Sequence, residues 1–107
     1  MKVLLDACTP RPLRQFLPGH FVRTAQEAGW GGLKNGDLLR GAEGQFEAFI
    51  STDQNLKYQQ QVVGTRLAIL VLPTNDWPTI RSRGAEIAAK VATLKPGDFV
   101  ELDWSNP

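Results

Sequence analysis

The sequence predicts an α/β fold, a three-layer sandwich of helices around a mostly parallel sheet. Three observations carry that expectation. Short apolar runs, too brief and too continuous for helices, recur at 3–5, 48–50 and 67–72. Between them lie segments whose apolar residues follow the 3.6-residue period of a helix. Two of the runs stop abruptly at an aspartate, Val3-Leu4-Leu5 at Asp6 and Ala48-Phe49-Ile50-Ser51-Thr52 at Asp53. Strands that alternate with helices pair in parallel by default, so both acids should emerge at the sheet edge where open α/β folds place their ligands.

The elements follow in order. Lys2 to Asp6 reads as a buried strand. Pro10 and Pro12 sit where a helix start tolerates them, and Leu13, Phe16 and Leu17 share one face with Arg11, Arg14 and Gln15 outward, until Pro18-Gly19 ends the helix. His20 to Arg23 is a short strand. Thr24 and Glu27 have the capping-box spacing for a brief helix that stops at Gly29. Four glycines among residues 29–36 make an irregular loop around Trp30. Asn35 is a natural N-cap for a helix through Glu43, with Leu38, Leu39 and Ala42 buried and Asp37 in the first turn. Ala48 to Thr52 is the central strand, and Asn55 to Gln61 a short polar helix. Leu67 to Leu72 is the most apolar strand. Asn75-Asp76-Trp77-Pro78 signals the start of a long helix carrying Ile80, Gly84, Ile87, Ala88, Val91 and Leu94, which Lys95-Pro96-Gly97 ends. Phe99 to Leu102 alternates like an edge strand.

Composition narrows the function classes. The 107 residues read as one domain, 1–107. Twelve basic against eleven acidic residues give a formal charge of +1, so no global field announces a nucleic acid and any basic surface must be local. No charged segment followed by a long apolar stretch opens the chain, and no apolar run approaches the ~20 residues of a membrane span. These features predict a cytoplasmic protein that does not engage a membrane. The single cysteine, Cys8, is expected to be a small buried side chain.

Asp6, Asp37 and Asp53 are the acids placed at element ends rather than along helix faces. Singly, each could cap a turn or complement a helix dipole. Jointly, three carboxylates at one sheet edge repel one another unless something positive lies between them, and oxygen-only ligation suits Mg²⁺ or Mn²⁺. Ser51 and Thr52 could hydrogen-bond a carboxylate or a metal-bound water, or be ordinary strand-end hydroxyls. Arg11 and Lys34 are candidates to bind phosphate, whereas Arg14 and Lys57 read more simply as solvated helix faces. Trp30, close to Asp37 in a glycine-rich loop, is a candidate substrate contact. His20 is expected at the opposite edge from the acids, without a catalytic role.

The N-terminal Lys-Val-Leu-Leu-Asp, the central Gly-Trp-Gly-Gly-Leu-Lys-Asn-Gly-Asp-Leu-Leu and the motif Ile-Ser-Thr-Asp-Gln-Asn-Leu together resemble the DUF5615 family of PIN-like proteins over nearly the whole chain. More distantly the chain is similar to PIN-domain ribonucleases, including VapC-type toxins. That resemblance implies a PIN-like fold, with Asp6, Asp37 and Asp53 as catalytic residues that hold Mg²⁺ or Mn²⁺ and RNA as substrate. It also implies an antitoxin-like protein as a partner. Many relatives carry an acid directly after the first aspartate, where this chain has Ala7. The alternative is therefore a PIN-like binding module, weak or inactive in catalysis, that acts through a protein partner. An exposed sheet edge and three tryptophans lead us to expect a homodimer joined through residues 99–104.

Overall fold

A computed structural model describes residues 1–104. Five strands, β1 (Lys2–Leu5), β2 (Phe21–Thr24), β3 (Ala48–Ser51), β4 (Ala68–Val71) and β5 (Phe99–Glu101), form one sheet in the order β2-β1-β3-β4-β5. Every neighbouring pair is parallel. β3 and β4 are buried along their whole length, as expected of strands covered on both faces.

The alternation of side chains divides the core into two layers of contact. Val3, Leu5, Ile50 and Leu70 face one way and pack with Leu13, Ile80, Ile87 and Val91. Leu4, Phe49, Ile69 and Val71 face the other way, against Leu38, Leu39, Ala42 and Leu56. Helices α2 (Trp77–Ser82) and α3 (Gly84–Thr93) cover the first face, and α1 (Asn35–Ala42) covers the second. The result is the expected α/β sandwich of three layers, with a sheet that is parallel throughout.

Helical details depart from expectation for identifiable reasons. Residues 11–16 form a 3₁₀-helix, with Leu13 N–H bonded to the Pro10 carbonyl and Leu17 N–H to that of Arg14. Pro10, Pro12 and Pro18 leave too few donors and too little length for an α-helix. The Thr24/Glu27 capping box forms reciprocally at 3.0 and 3.1 Å, but only turns follow it before Gly29 ends the segment at φ +83°. The polar stretch after Asp53 is a pair of 3₁₀-helices, Leu56–Tyr58 and Gln60–Val62. The long C-terminal helix is two, broken at Arg83 (φ −111°, ψ 17°). There Gly84 lies against Phe16 so closely that a Cβ would come within 2.4 Å of its ring.

Chain direction places the site. β1 leads to β2 on one side through the 3₁₀-helix, whose Leu13 packs on the first face. β2 then leads through α1, on the second face, to β3 on the far side of β1. Connections that part to opposite faces leave a crevice beyond the carboxyl ends of β1 and β3, the switch point of a common doubly wound strand order. Among the described residues, no helix is long and apolar enough to cross a membrane.

Candidate active site at the strand switch point

Asp6 follows β1 and Asp53 lies two residues beyond β3, so both open into that crevice. Asp6 is 2 % exposed, and a buried carboxylate persists only where donors replace its water. Four do. Thr9 donates its backbone N–H (2.9 Å) and its hydroxyl (2.5 Å) to Oδ1, while Ser51 donates its hydroxyl (2.6 Å) and Asn35 its amide (3.4 Å) to Oδ2. A carboxylate offers about four lone-pair directions, so the protein fills them all, the last of them weakly.

Asp53 is held more loosely. Its Oδ1 accepts the Asn55 N–H and its Oδ2 accepts the Asn35 amide, both at 2.9 Å, which leaves each oxygen with capacity to spare. Ser51 ties the two acids together, because its hydroxyl donates to Asp6 and accepts the Asp53 N–H at 2.9 Å. No ion pair among the described residues includes Asp6 or Asp53. Two carboxylates thus share one neutral amide.

Asn35 does not cap α1 as expected. Lys34 occupies the cap position without a side-chain bond, and Asn35 instead donates its amide N–H groups to the two carboxylates, charge-assisted bonds that a cap, which accepts through its oxygen, does not make. Asp37 stands in the first turn of α1, exposed, and its carboxylate meets Arg40 at 3.5 Å. Among the described residues no three His, Cys, Asp or Glu side chains are grouped so as to hold a metal ion.

The remaining candidates scatter. Thr52 uses its carbonyl to accept from Gln54 at 3.0 Å. Lys34 is exposed at the head of α1, without an ion pair or side-chain hydrogen bond among the described residues. Arg11 is exposed beside Cys8 and Thr9. Trp30 packs toward the far end of α1, 3.6 Å from where a Gly41 Cβ would lie and edge-on to Phe46 at 6.1 Å, so its ring serves the core there. Arg14 is spent on Glu27, with both bonds at 2.8 Å, and Lys57 pairs with Glu101 at 3.6 Å. Cys8 is exposed rather than buried, because the Asp6–Thr9 turn folds inward through its ends and lifts Ala7 and Cys8 out.

Thr9 and Asn35 are the contributors that sequence reasoning did not assign to the site. For Thr9 a signal existed, since an Asp whose side chain accepts from the residue three positions on is a familiar local motif. Gln59 and Gln61 are also close, for a Cβ on Gly36 would lie 3.1 and 3.2 Å from their amide oxygens. The segment after Asp53 therefore closes over the head of α1, and Gly36 permits that approach. Comparison with known proteins adds no relative: no family model, no curated protein and no solved structure matches this chain.

Proposed function

We propose that the chain is a Mg²⁺- or Mn²⁺-dependent phosphodiesterase acting on RNA, of PIN-like type, with Asp6 and Asp53 as its central acids. One observation carries the reading: two carboxylates converge at the switch point of the sheet with a single neutral amide between them and, among the described residues, no ion pair to balance them. Like charges so placed favour a cation. The donor set is oxygen-rich, and Mg²⁺ characteristically uses one or two carboxylates, with water and substrate phosphate completing its shell. Asp53, with lone pairs to spare, would hold the ion, and Asp6 would join through Oδ2 as the 3.4 Å Asn35 contact yields. Bound there, the ion would supply an activated water and offset charge on the phosphate.

The chain's own residues do the rest. Thr9 and Ser51 fix the Asp6 carboxyl, so that it needs no reorganisation when substrate arrives. Lys34, without an ion pair among the described residues, stands at the head of α1 where it can take an RNA phosphate. Asp37, exposed in the same turn, is retained as a third acid that would be recruited on loading. The test is cleavage of single-stranded RNA in Mn²⁺ by the wild type and by Asp6→Asn, with loss of cleavage in the variant expected. Equal cleavage by the two refutes the assignment.

The second reading, a binding module acting through an antitoxin-like partner, is favoured by the saturation of Asp6 and by the exposed Ala7 beside it. Metal binding without cleavage would select it. A homodimer through β5 belongs to the same proposal: among the described residues β5 pairs only with β4, which leaves its other edge open. Light scattering that gives a monomer across concentration refutes that part.

A further inference from the structure

At the opposite end of the sheet, beyond the amino ends of β1, β3 and β4, lies a cleft of about 510 Å³. That volume is in the range of small-molecule sites. Phe46, Leu67 and Leu94 give it an apolar floor, and Lys2, Arg66 and Lys95 stand around it. None of these three cations enters an ion pair or a side-chain hydrogen bond among the described residues. The two acids of the cleft are engaged by the chain itself. Glu43 takes the Thr65 hydroxyl and, at 3.1 Å, the Arg66 N–H, and Glu47 takes the Lys2 N–H at 2.9 Å. Both acids thus accept from the chain's own hydroxyl and backbone donors, whereas the three cationic side chains are left for something else.

We infer that this cleft is a binding site for a small organic anion with an apolar, ring-sized body. The body lies on Phe46, Leu67 and Leu94, and the acidic head meets Lys2, Arg66 and Lys95. Arg66 can engage such a head with two parallel bonds, and the lysines act as point charges. The cleft and the Asp6–Asp53 pair lie at opposite ends of parallel strands, so the inference does not depend on the function proposed above.

The probe is 8-anilinonaphthalene-1-sulfonate, titrated by fluorescence against the folded chain, with N-phenyl-1-naphthylamine as the same body without the charge. Saturable 1:1 binding of the sulfonate is expected, at least about tenfold weaker for the neutral probe and for Arg66→Gln/Lys95→Gln. Amide shifts on titration should centre on Phe46, Leu67 and Ala68. Those two cationic side chains make no bonds within the described residues, so the double variant should keep the wild-type urea midpoint. Non-saturable binding, equal affinity for the two probes, unchanged affinity in the double variant, or shifts centred on Asp53 would each overturn the inference.

Discussion

Ser51→Ala removes one oxygen from the centre of the site, and its cost can be worked from the contacts. Ser51 is fully buried. Its hydroxyl donates to Asp6 at 2.6 Å, and a hydrogen bond to a charged group contributes about 1.5–3 kcal/mol. The same oxygen accepts the Asp53 N–H, which loses its partner in a half-buried place where water reaches in part, at about 0.5–1 kcal/mol. Asp6 keeps both Thr9 bonds, but its Oδ2 is left with the 3.4 Å Asn35 contact alone. The expected loss is about 2–4 kcal/mol, a large part of the 5–15 kcal/mol typical of a domain. At about 4 °C per kcal/mol for a chain of this size, Tm should fall by roughly 8–16 °C. Urea unfolding followed by tryptophan fluorescence in the presence of EDTA measures it, with m unchanged. A loss below about 0.5 kcal/mol, the level of a surface substitution, would refute the view that Ser51 sustains the buried Asp6 side chain.

Gly84→Ala sets two effects against each other at the start of α3. Helix propensity favours alanine by up to about 1 kcal/mol, but the new methyl would meet the Phe16 ring at 2.4–2.6 Å, and overpacking costs about 1–3 kcal/mol. Net destabilisation is expected, and a raised urea midpoint would contradict it. Arg14's guanidinium, aided by the Thr24 N–H, holds the Glu27 carboxyl below its ordinary value of 4.5. A depressed folded-state pKa contributes stability that is present above the unfolded value and lost as pH falls through the folded one. Glu27→Gln should therefore weaken the chain slightly at pH 7 and flatten its acid limb below 4.5, and parallel stability profiles of the two proteins would refute this. Thr9→Val removes the 2.5 Å bond to Asp6 Oδ1 while keeping the backbone one. A loss of about 1.5–3 kcal/mol in urea unfolding is expected, and no change would contradict the role given to Thr9.

How much was legible in the sequence depends on whether the signal was local. The strands were, because runs such as Ala68–Val71 are apolar on both faces and can only be interior. Asp6 and Asp53 at the carboxyl ends of adjacent strands followed from that, as did Ser51 beside them. The helices were less legible. Prolines shortened one to a 3₁₀ turn, and the close packing of Gly84 on Phe16, across 68 residues of chain, marks the break in another. Asn35 shows the limit most clearly. Its position before an apolar-periodic segment reads as a cap, and only the spatial arrival of two carboxylates diverts its amide. Trp30 was drawn to the core for a similar reason, because Gly41 leaves a space that fits its ring.

If Asp6 and Asp53 form a cation site, calorimetric titration of Mn²⁺ and Mg²⁺ into wild type and Asp53→Asn reports it without relay through activity. Asparagine keeps the shape of Asp53 and caps a turn about as well, so the fold should survive while the charge is removed. The expected result is saturable binding by the wild type, weakened at least about tenfold in the variant, with single-stranded RNA cleavage falling in step. Binding that is absent from the wild type, or that is the same in both proteins, would contradict a cation site at Asp6 and Asp53.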